Sequence, residues 1–371
     1  MLIGVPREIK TREYRVGLVP VSVLELTARG HKVIVETGAG AGIAAIDSDY
    51  IAAGASIVAT AQEVFALAEL IVKVKEPQAA ERKLLRPGQI LFTYLHLAPD
   101  AEQARDLIAS SATCIAYETV TGEDGGLPLL APMSEVAGRL AVQAGAHFLE
   151  KAQGGLGILL GGVTGVAPAK VVVLGGGIAG SNAAQMALGL GAEVWVIDRN
   201  PHVLKRLTEQ FGPLLNTVIS STEAITQHAI SADLLIGSVL IPGATAPKLI
   251  TRDMVRRMKA GAVIVDIAID QGGCCETSRP TTHDEPVYVV EGVIHYCVAN
   301  MPGAVPHTSA YALNNATLPF ILALADNGLQ ALKDDRHLLH GLNIYNGKVT
   351  NQLVADALGY AYLAPYKALA S

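Results

Sequence analysis

Charged residues are scarce in this sequence of 371 residues: Asp, Glu, Lys and Arg make up 17% of it, whereas hydrophobic residues make up 50%. Average proteins carry about 25% charged residues. The deficit indicates extensive buried surface, including interfaces between subunits. The net charge of −6 and the lack of a basic run argue against a nucleic-acid-binding surface. At this length the chain is expected to form two domains.

Cysteine is also rare, and its arrangement is unlike that of a metal site. None of the four cysteines belongs to a CxxC pair, and two adjacent cysteines have a poor spacing for metal ligands. We therefore expect reduced thiols in a cytoplasmic protein and no bound metal. The four are Cys114, Cys274, Cys275 and Cys297.

Neither a secretion signal nor a membrane span is expected. The first ten residues carry charges early and contain no apolar signal core. Residues 171–192 lack charge and are long enough to cross a membrane, but they include six glycines together with Ser181, Asn182 and Gln185. This composition favours a strand, a turn and a helix over a membrane span.

A glycine-rich turn within that stretch predicts a dinucleotide site. The β-branched run at residues 171–174 is typical of a strand buried on both faces. Gly175 allows a sharp turn, Gly177 allows the backbone to approach a pyrophosphate, and Gly180 allows the next helix to pack on the strand. That helix, predicted at residues 178–190, directs its N-terminal amides at the phosphates. A tight turn without a ligand is the alternative.

An acidic residue follows the turn at the expected place. The apolar run at residues 194–197 predicts a second strand that ends at Asp198. A carboxylate there can accept hydrogen bonds from the adenosine ribose and would repel a 2′-phosphate. Strand, turn, helix, strand and acid occur in the order of a dinucleotide-binding unit, and Asp198 favours NAD over NADP. Arg199, directly after it, weakens that preference slightly.

Short apolar runs alternate with amphipathic segments along the chain, which predicts an α/β fold with parallel sheets. Six predicted strands from residue 171 onward fit a doubly wound sheet. We expect two doubly wound, Rossmann-like domains: an NAD-binding domain at residues 129–305, inserted in a discontinuous substrate domain at residues 1–128 and 306–371. The segment at residues 127–132 is the predicted linker.

The expected elements are defined by these apolar runs. Strands are predicted at residues 2–5, 32–36, 70–74, 90–93, 113–116, 171–174, 194–197, 216–219, 232–236, 262–265 and 287–290. Helices are predicted at residues 22–29, 101–110, 133–152, 178–190, 309–327 and 349–358.

Polar residues set among apolar ones are candidates for substrate chemistry. Arg12 and Arg15 could bind a carboxylate through an arginine fork, although sequence alone favours surface arginines. Lys73 and Lys75 have the spacing of one strand face. A solvated face explains these lysines equally well, but a strand covered on both sides needs a cleft or an anion beside them.

His96 and Asp270 lie just after predicted strands, where open α/β sheets bind ligands. Histidine suits proton transfer near neutral pH, and a hydrogen-bonded core histidine is an equal alternative. Asp270 is expected near the nicotinamide end of a cofactor, where it could orient an amine or stabilise a cationic intermediate. For Asp266 and Asp270 the alternative is turn and cap chemistry, which Gly272-Gly273 makes reasonable for one of them.

Together these stretches resemble the bacterial L-alanine dehydrogenases, within the alanine dehydrogenase and transhydrogenase alpha-subunit family. The resemblance covers essentially the whole chain. It is carried by Gly4-Val-Pro-Arg-Glu-Ile-Lys, Glu13-Tyr-Arg-Val, Val72-Lys-Val-Lys-Glu-Pro, Tyr94-Leu-His, Leu174-Gly-Gly-Gly with Gly180, Val265-Asp-Ile-Ala-Ile-Asp-Gln-Gly-Gly-Cys and His295-Tyr-Cys-Val-Ala-Asn-Met-Pro-Gly.

The resemblance implies NAD-dependent oxidative deamination of L-alanine to pyruvate and ammonia, and the reverse amination. Arg15 would bind the substrate carboxylate, and Lys75 would hold that carboxylate and polarise the keto oxygen. His96 would be the general acid and base for the carbinolamine and keto intermediates. Asp270 would position the amino group or the attacking ammonia.

The resemblance also implies a cytoplasmic homohexamer with small-molecule substrates and with no nucleic-acid or membrane partner. Departures from the family pattern at His307, Cys275 and Val203 affect the expected cofactor affinity rather than the reaction. The cofactor-binding residues implied by the turn and by the resemblance are Ser134, Gly175, Gly177, Ile178, Ala179, Gly180, Asp198, Ser220, Val239, Leu240, Ile267, Ala268, Ile269, Asp270, Arg279, Val298, Ala299, Asn300 and Met301.

Two other functions are alternatives. The NAD-binding subunit of a proton-pumping transhydrogenase belongs to the same family, but the resemblance implies that it lacks a histidine equivalent to His96. A catalytically silent NAD-sensing protein would tolerate the loss of Lys75, His96 or Asp270, and this sequence has all three.

Overall fold

The computed structural model describes residues 1–239 and 246–370. The chain divides into two compact units. The first comprises Met1–Met133 and the chain from Val305 onward, and the second comprises Ser134–Ala304. Each unit contains one sheet of mostly parallel strands. None of the described helices is both long and apolar enough to cross a membrane.

The strands are short runs rich in β-branched and other apolar residues, a composition that suits sheets covered on both faces. They are β1 (Leu2–Val5), β2 (Lys32–Glu36), β3 (Ser56–Val58), β4 (Leu70–Val72), β5 (Ile90–Thr93), β6 (Thr113–Ala116), β7 (Lys170–Leu174), β8 (Glu193–Asp198), β9 (Leu215–Ile219), β10 (Leu234–Gly237), β11 (Val263–Asp266), β12 (Val287–Val290), β13 (Val293–Tyr296), β14 (Leu342–Tyr345) and β15 (Lys348–Val349).

Several helices begin at a polar residue whose side chain accepts an amide hydrogen bond from the first turn, such as Asp100, Ser221 and Thr251. The helices are α1 (Pro20–Ala28), α2 (Asp47–Ala52), α3 (Ala61–Leu67), α4 (Ala79–Arg82), α5 (Ala101–Ser110), α6 (Ala131–Phe148), α7 (Ile178–Gly189), α8 (Pro201–Phe211), α9 (Thr222–Ser231), α10 (Arg252–Arg257), α11 (Pro306–Asn327), α12 (Gln330–Asp334), α13 (Arg336–Leu339), α14 (Gln352–Leu358) and α15 (Pro365–Ala368).

The sheet of the first unit has the order β15-β14-β6-β5-β4-β1-β2-β3. β14 pairs antiparallel with β6 and with β15, and the remaining pairs are parallel. β1 pairs with both β2 and β4, so the strand order reverses beside it. The carboxyl ends of β1, β4 and β5 meet at one edge, where an open α/β sheet binds ligands.

The sheet of the second unit has the order β12-β13-β11-β10-β7-β8-β9. β12 is an antiparallel edge strand, and the other pairs are parallel. The order reverses between β7 and β10, and all four residues of β10 pair in register with residues 171–174 of β7. The turn after β7 therefore lies at the switch point of a doubly wound sheet, the usual place of a dinucleotide.

The predicted α/β class is confirmed, with two parallel-dominated sheets. The strands predicted at residues 2–5, 32–36, 90–93, 113–116 and 287–290 have the bounds that the structure shows. Four further strands, β3, β13, β14 and β15, lie outside the predicted set. Two of these, β3 and β15, have three and two residues, too few to show an apolar period.

Several predicted bounds are wrong, and three elements show this most clearly. The strand predicted at residues 70–74 ends at Val72, so Lys73 and Lys75 do not share a strand face. The long helix begins at Ala131, inside the predicted linker, and ends at Phe148. The helix predicted at residues 349–358 begins at Gln352, because Asn351 caps it and Val349 belongs to β15.

Candidate active site

Arg15 is buried and is bound by a carboxylate of its own segment, between β1 and α1. Its Nε donates to Glu13 Oε1 and its Nη2 to Glu13 Oε2, both at 2.6 Å. Burial would raise the pKa of Glu13, but the hydrogen bonds and charge of Arg15 hold that pKa at about 2. Arg15 Nη1 lies 3.0 Å from the Met133 sulfur. The guanidinium is therefore fixed in orientation by a charged partner.

Lys73 is fully buried, and protein carboxylates neutralise it. Its Nζ donates to Glu81 Oε1 at 2.7 Å and to Glu8 Oε2 at 3.1 Å. Burial would lower the pKa of Lys73, but the two carboxylates raise it above its ordinary value. The anion that a buried lysine needs here is thus supplied by the chain itself.

Lys75 is held by its backbone and has a different electrostatic setting. Its N–H lies 3.3 Å from Glu8 Oε1, and its carbonyl accepts a hydrogen bond from Thr93 Oγ1 at 2.9 Å. Burial lowers the pKa of the Lys75 ammonium, and the charge of Arg15 lowers it further. The two cationic groups predicted to bind substrate are therefore close, and a bound carboxylate would relieve their repulsion.

His96 follows β5 in the left-handed region, with a φ of 49°. Glu118 stabilises this conformation, because it accepts the N–H of His96 at 2.6 Å and that of Leu95 at 3.2 Å. The imidazole Nδ1 lies 3.8 Å from Glu118 Oε1, and the side chain is 47% exposed. Glu118 therefore holds the backbone of His96 and lies beside its ring, and the imidazole remains accessible for proton transfer.

Tyr94 connects the histidine to the cationic pair. Its ring stacks on the His96 imidazole with centroids 5.7 Å apart, and its hydroxyl donates to the Leu129 carbonyl at 2.5 Å. The charge of Arg15 also acts on the Tyr94 hydroxyl. Within the first unit, the structure therefore brings together the predicted residues Arg15, Lys75 and His96.

The glycine-rich turn of the second unit has the geometry that its sequence predicts. Gly175 has a φ of 94°, which L side chains rarely adopt. A Cβ on Gly180 would lie 1.8 Å from the Gly175 carbonyl oxygen, so the close approach of α7 to β7 requires glycine there. A Cβ on Gly177 would instead meet open space. Packing therefore explains Gly175 and Gly180, and it leaves room beside Gly177 for a ligand.

Asp198 ends β8 beside this turn. Its Oδ2 accepts the N–H of Gly176 at 2.7 Å and its Oδ1 accepts that of Asn200 at 2.8 Å. Ser220 lies next to it, since the Ser220 N–H donates to the Asp198 carbonyl at 3.0 Å. Each carboxylate oxygen keeps a second lone pair, so the carboxylate can also accept from a ribose hydroxyl.

The remaining residues near the turn lie after neighbouring strands or on helices. Ile178 and Ala179 open α7. Ser134 lies on α6, which passes close to this point: a Cβ on Gly138 would be 2.1 Å from the Ala179 carbonyl oxygen. Val239 follows β10, and its side chain would lie 3.2 Å from a Cβ on Gly175. Leu240 lies outside the described residues.

Two further groups follow β11, which neighbours β10 in the sheet, and β13, which neighbours β11. Ile267, Ala268, Ile269 and Asp270 form most of a 3₁₀ turn after β11, and Asp270 is exposed. Val298, Ala299, Asn300 and Met301 follow β13. Arg279 stacks its guanidinium on the Tyr288 ring at 4.0 Å. Because parallel strands end at one edge, the structure places these groups along the same edge as the turn.

Asp266 has the structural role in a turn that was the alternative for Asp266 and Asp270. Its Oδ2 accepts the N–H groups of Cys274 at 2.8 Å and Cys275 at 3.3 Å, together with the Ser278 hydroxyl at 2.5 Å. Asp266, Cys274 and Cys275 are also the group within the described residues whose donor atoms are close enough to hold a metal. Contact with Cys275 and burial raise the pKa of the Cys274 thiol, which opposes the thiolate that a metal requires.

Sequence reasoning missed the residues that hold the predicted ones. These are Glu8, Glu13, Tyr94, Glu118 and Ser238, whose hydroxyl donates to the carbonyls of Leu174 and Gly175. One signal was available: Glu8 and Glu13 are acidic residues in the same stretches as the predicted cations, and buried charges need partners. Glu118 carried no such signal, because its partners precede it by 22 and 23 residues.

Comparison with known proteins identifies the family. Residues 4–137 match the family model described as "Alanine dehydrogenase/PNT, N-terminal domain", and residues 141–352 match "Alanine dehydrogenase/PNT, C-terminal domain". An alanine dehydrogenase of Halomonas elongata is 60% identical over 98% of this chain and 98% of its own length. One of Mycolicibacterium smegmatis is 56% identical over 96% and 97%.

Solved structures agree with this assignment. A structure titled L-alanine dehydrogenase matches with a TM-score of 0.94 and 51% identity, and it covers 97% of this chain and 99% of that one. A transhydrogenase from Sinorhizobium meliloti matches with a TM-score of 0.84 and 26% identity, over 94% and 100%. The chain belongs to the alanine dehydrogenase/PNT family.

Proposed function

We propose that this protein catalyses the NAD-dependent oxidative deamination of L-alanine to pyruvate and ammonia, and the reverse reductive amination. The observation that carries the proposal is the pairing of Arg15 with Lys75. Their neighbouring charges and the lowered pKa of Lys75 suit a small carboxylate anion. Full-length relatives named alanine dehydrogenase, 53–60% identical to this chain, support the choice of substrate.

The chain is an oxidoreductase, and the residues of its second unit fit a nicotinamide cofactor. The open space beside Gly177 and the amides at the start of α7 suit a pyrophosphate. Asp198 and Ser220 would hold the adenosine ribose, and the carboxylate would favour NAD over NADP. When bound, the cofactor would accept a hydride from the substrate carbon that carries the amino group.

The substrate-binding roles follow from the charges of the first unit. Arg15, held by Glu13, would bind the substrate carboxylate. Lys75 would bind the same carboxylate and polarise the keto oxygen, because its ammonium is a compact donor in a partly buried setting. The resemblance assigns the amino group, or the attacking ammonia, to Asp270.

His96 would move protons to and from the substrate oxygen. In deamination it would take a proton from the attacking water, and in amination it would return one to the keto oxygen. Glu118, 3.8 Å from the imidazole Nδ1, would orient the ring.

The remaining assignments complete the proposal. Residues 1–128 and 306–371 would form the substrate domain, and residues 129–305 the NAD-binding domain. The protein would act in the cytoplasm as a homohexamer, on small molecules and without a nucleic-acid or membrane partner.

A direct assay tests the proposed reaction. Purified protein should produce NADH from NAD and L-alanine, and more readily at alkaline pH because deamination releases a proton. The absence of NADH with L-alanine, serine and glycine would contradict the proposal. A protein that binds NADH without such turnover would instead fit an NAD-binding subunit or a sensor.

A further inference from the structure

The segment that carries Lys75 lies beyond the end of β4, and β5 holds it on one side only. The Tyr94 N–H donates to the Val74 carbonyl at 3.3 Å, and Thr93 Oγ1 donates to the Lys75 carbonyl at 2.9 Å. Both contacts involve carbonyl groups of the segment. The Lys73 N–H also donates to β5, to the Phe92 carbonyl at 3.2 Å, whereas the N–H groups of Val74 and Lys75 need a different partner.

Glu8 supplies that partner. The ladder between β1 and β4 runs through Ile3 and Gly4, and β1 ends at Val5. Beyond this point the Glu8 Oε1 accepts the N–H of Val74 at 2.6 Å and lies 3.3 Å from that of Lys75. The carboxylate thus takes the place of the strand carbonyls that a longer β1 would have offered.

The Glu8 carboxylate is itself fixed at its second oxygen. Its Oε2 accepts from Lys73 Nζ at 3.1 Å, and the same ammonium donates to Glu81 Oε1 at 2.7 Å. The other oxygen of Glu81 accepts the Gln78 N–H at 2.8 Å, which closes the turn before α4. Lys73 therefore anchors Glu8 rather than substrate, and a buried carboxylate held at both oxygens has little freedom to move.

We propose that Glu8 is a positioning residue for Lys75: by binding the backbone N–H groups of Val74 and Lys75, its carboxylate fixes the point at which Lys75 leaves the sheet. The inference rests on the proposed function, which gives the Lys75 ammonium its substrate. A displacement of about 1 Å in a reacting group costs on the order of 100-fold in rate. Loss of Glu8 is therefore expected to weaken the handling of substrate without weakening cofactor binding.

Three variants separate this role from a general contribution to folding. Glu8→Ala removes both backbone contacts and the ion pair with Lys73. Glu8→Gln keeps an oxygen that can accept from the backbone but removes the charge. Glu81→Gln is the matched control, because Glu81 shares Lys73 with Glu8 and its hydrogen bonds go to Lys73 and Gln78 rather than to the backbone of Val74 or Lys75.

The measurements are kcat/KM for L-alanine and the dissociation constant of pyruvate in the presence of NAD, two oxidised compounds neither of which can donate a hydride to the other. Glu8→Ala should lower kcat/KM and raise the dissociation constant of pyruvate, each by about 100-fold, and Glu8→Gln should do so by about 10-fold. Glu81→Gln should leave both quantities close to wild type. The dissociation constant of NADH should be the same in all three. Equal losses in Glu8→Gln and Glu81→Gln would overturn the proposal.

A double-mutant cycle with Lys75→Met gives a readout that a structural role would not move. If Glu8 acts through Lys75, then Glu8→Gln should not weaken pyruvate binding further once Lys75 is replaced, because neighbours that act together are not additive. The same loss in both backgrounds would overturn the proposal. Should Glu8→Ala fail to fold, Glu8→Gln and Glu8→Asp decide the matter in this cycle.

The wild-type protein separates this inference from the proposed function. A wild type without turnover on L-alanine refutes the proposed function. A wild type with turnover, together with Glu8 variants that bind pyruvate normally, refutes only the role of Glu8.

Discussion

The two units of the chain build their candidate sites from different materials. In the first unit, Arg15, Lys73 and the glutamates that hold them are charged side chains removed from water. In the second unit, the turn after β7 is built from glycines, amides and one carboxylate. A site of buried charges depends on every partner being present, because an unpaired buried charge is costly. A site of backbone amides depends on the shape of the chain.

The range of the contacts differs in the same way. Glu8 and Lys73 are 65 residues apart in sequence, and their contact forms only when β1 and β4 pair. Asp198 and Gly176 are 22 residues apart, within one strand–turn–helix–strand unit. We therefore expect substitutions among the buried charges to affect substrate handling or folding, and substitutions of Asp198 or Gly177 to affect cofactor binding alone.

The largest expected effect comes from replacing His96, which tests the first unit by itself. His96→Ala should lower kcat by about 10²- to 10⁴-fold, because proton transfer to the substrate oxygen is lost. NADH binding, measured by fluorescence titration, should be unchanged. His96→Asn is the matched control for the backbone, since asparagine tolerates the left-handed region better than alanine. A normal rate in either variant would assign the proton transfer to another group.

The two lysines should separate stability from activity. Lys73→Met leaves the carboxylates of Glu8 and Glu81 buried without a cation, which should cost about 3–5 kcal/mol in the free energy of unfolding. Lys75→Met should leave that free energy close to wild type and lower kcat/KM for L-alanine by about 100-fold. Urea unfolding and initial rates measure the two quantities. Equal destabilisation by both substitutions would remove the distinction between the two lysines.

The sequence separation of the contacts also determines which parts of these sites could be predicted. The glycine turn and Asp198 could be found because their signals lie within one local unit. The predicted β4 was two residues too long. The apolar alternation continues through Val74, but the Val74 N–H donates to the Glu8 side chain instead of a strand carbonyl. Glu118 could not be found either, since it acts on His96 from beyond β6, and no local pattern records a contact between neighbouring strand ends.

The next expected effect concerns the protein backbone at two glycines of one turn. Gly180→Ala places a Cβ against the Gly175 carbonyl, and it should destabilise the protein by about 1–3 kcal/mol. Gly177→Ala should fold normally, because its Cβ meets open space and its φ of −67° suits alanine. Thermal unfolding and NADH titration check both. Wild-type NADH affinity in Gly177→Ala would show that no ligand approaches this residue.

A pH profile tests the charge of Lys75. Its pKa is lowered from the ordinary 10.5, so the ammonium deprotonates earlier as the pH rises. Pyruvate binding in the presence of NAD should therefore weaken through a pKa below 10.5, and Lys75→Arg should remove this dependence because arginine stays charged. In that window the unfolded state binds more protons than the folded one, so stability should rise with pH. An identical profile in Lys75→Arg would exclude Lys75 as the titrating group.

The smallest expected effect comes from Asp198, because its carboxylate has two partners within the turn and would add only a ribose contact. Asp198→Ala should weaken NADH binding by about 10-fold, the loss expected for a hydrogen bond to a charged group. It should also narrow the preference for NADH over NADPH, since the charge that repels a 2′-phosphate is gone. Asp198→Asn keeps an oxygen for the Gly176 N–H, so it separates loss of charge from distortion of the turn. If Asp198→Asn binds NADPH as poorly as wild type does, the shape of the turn rather than the charge of Asp198 selects the cofactor.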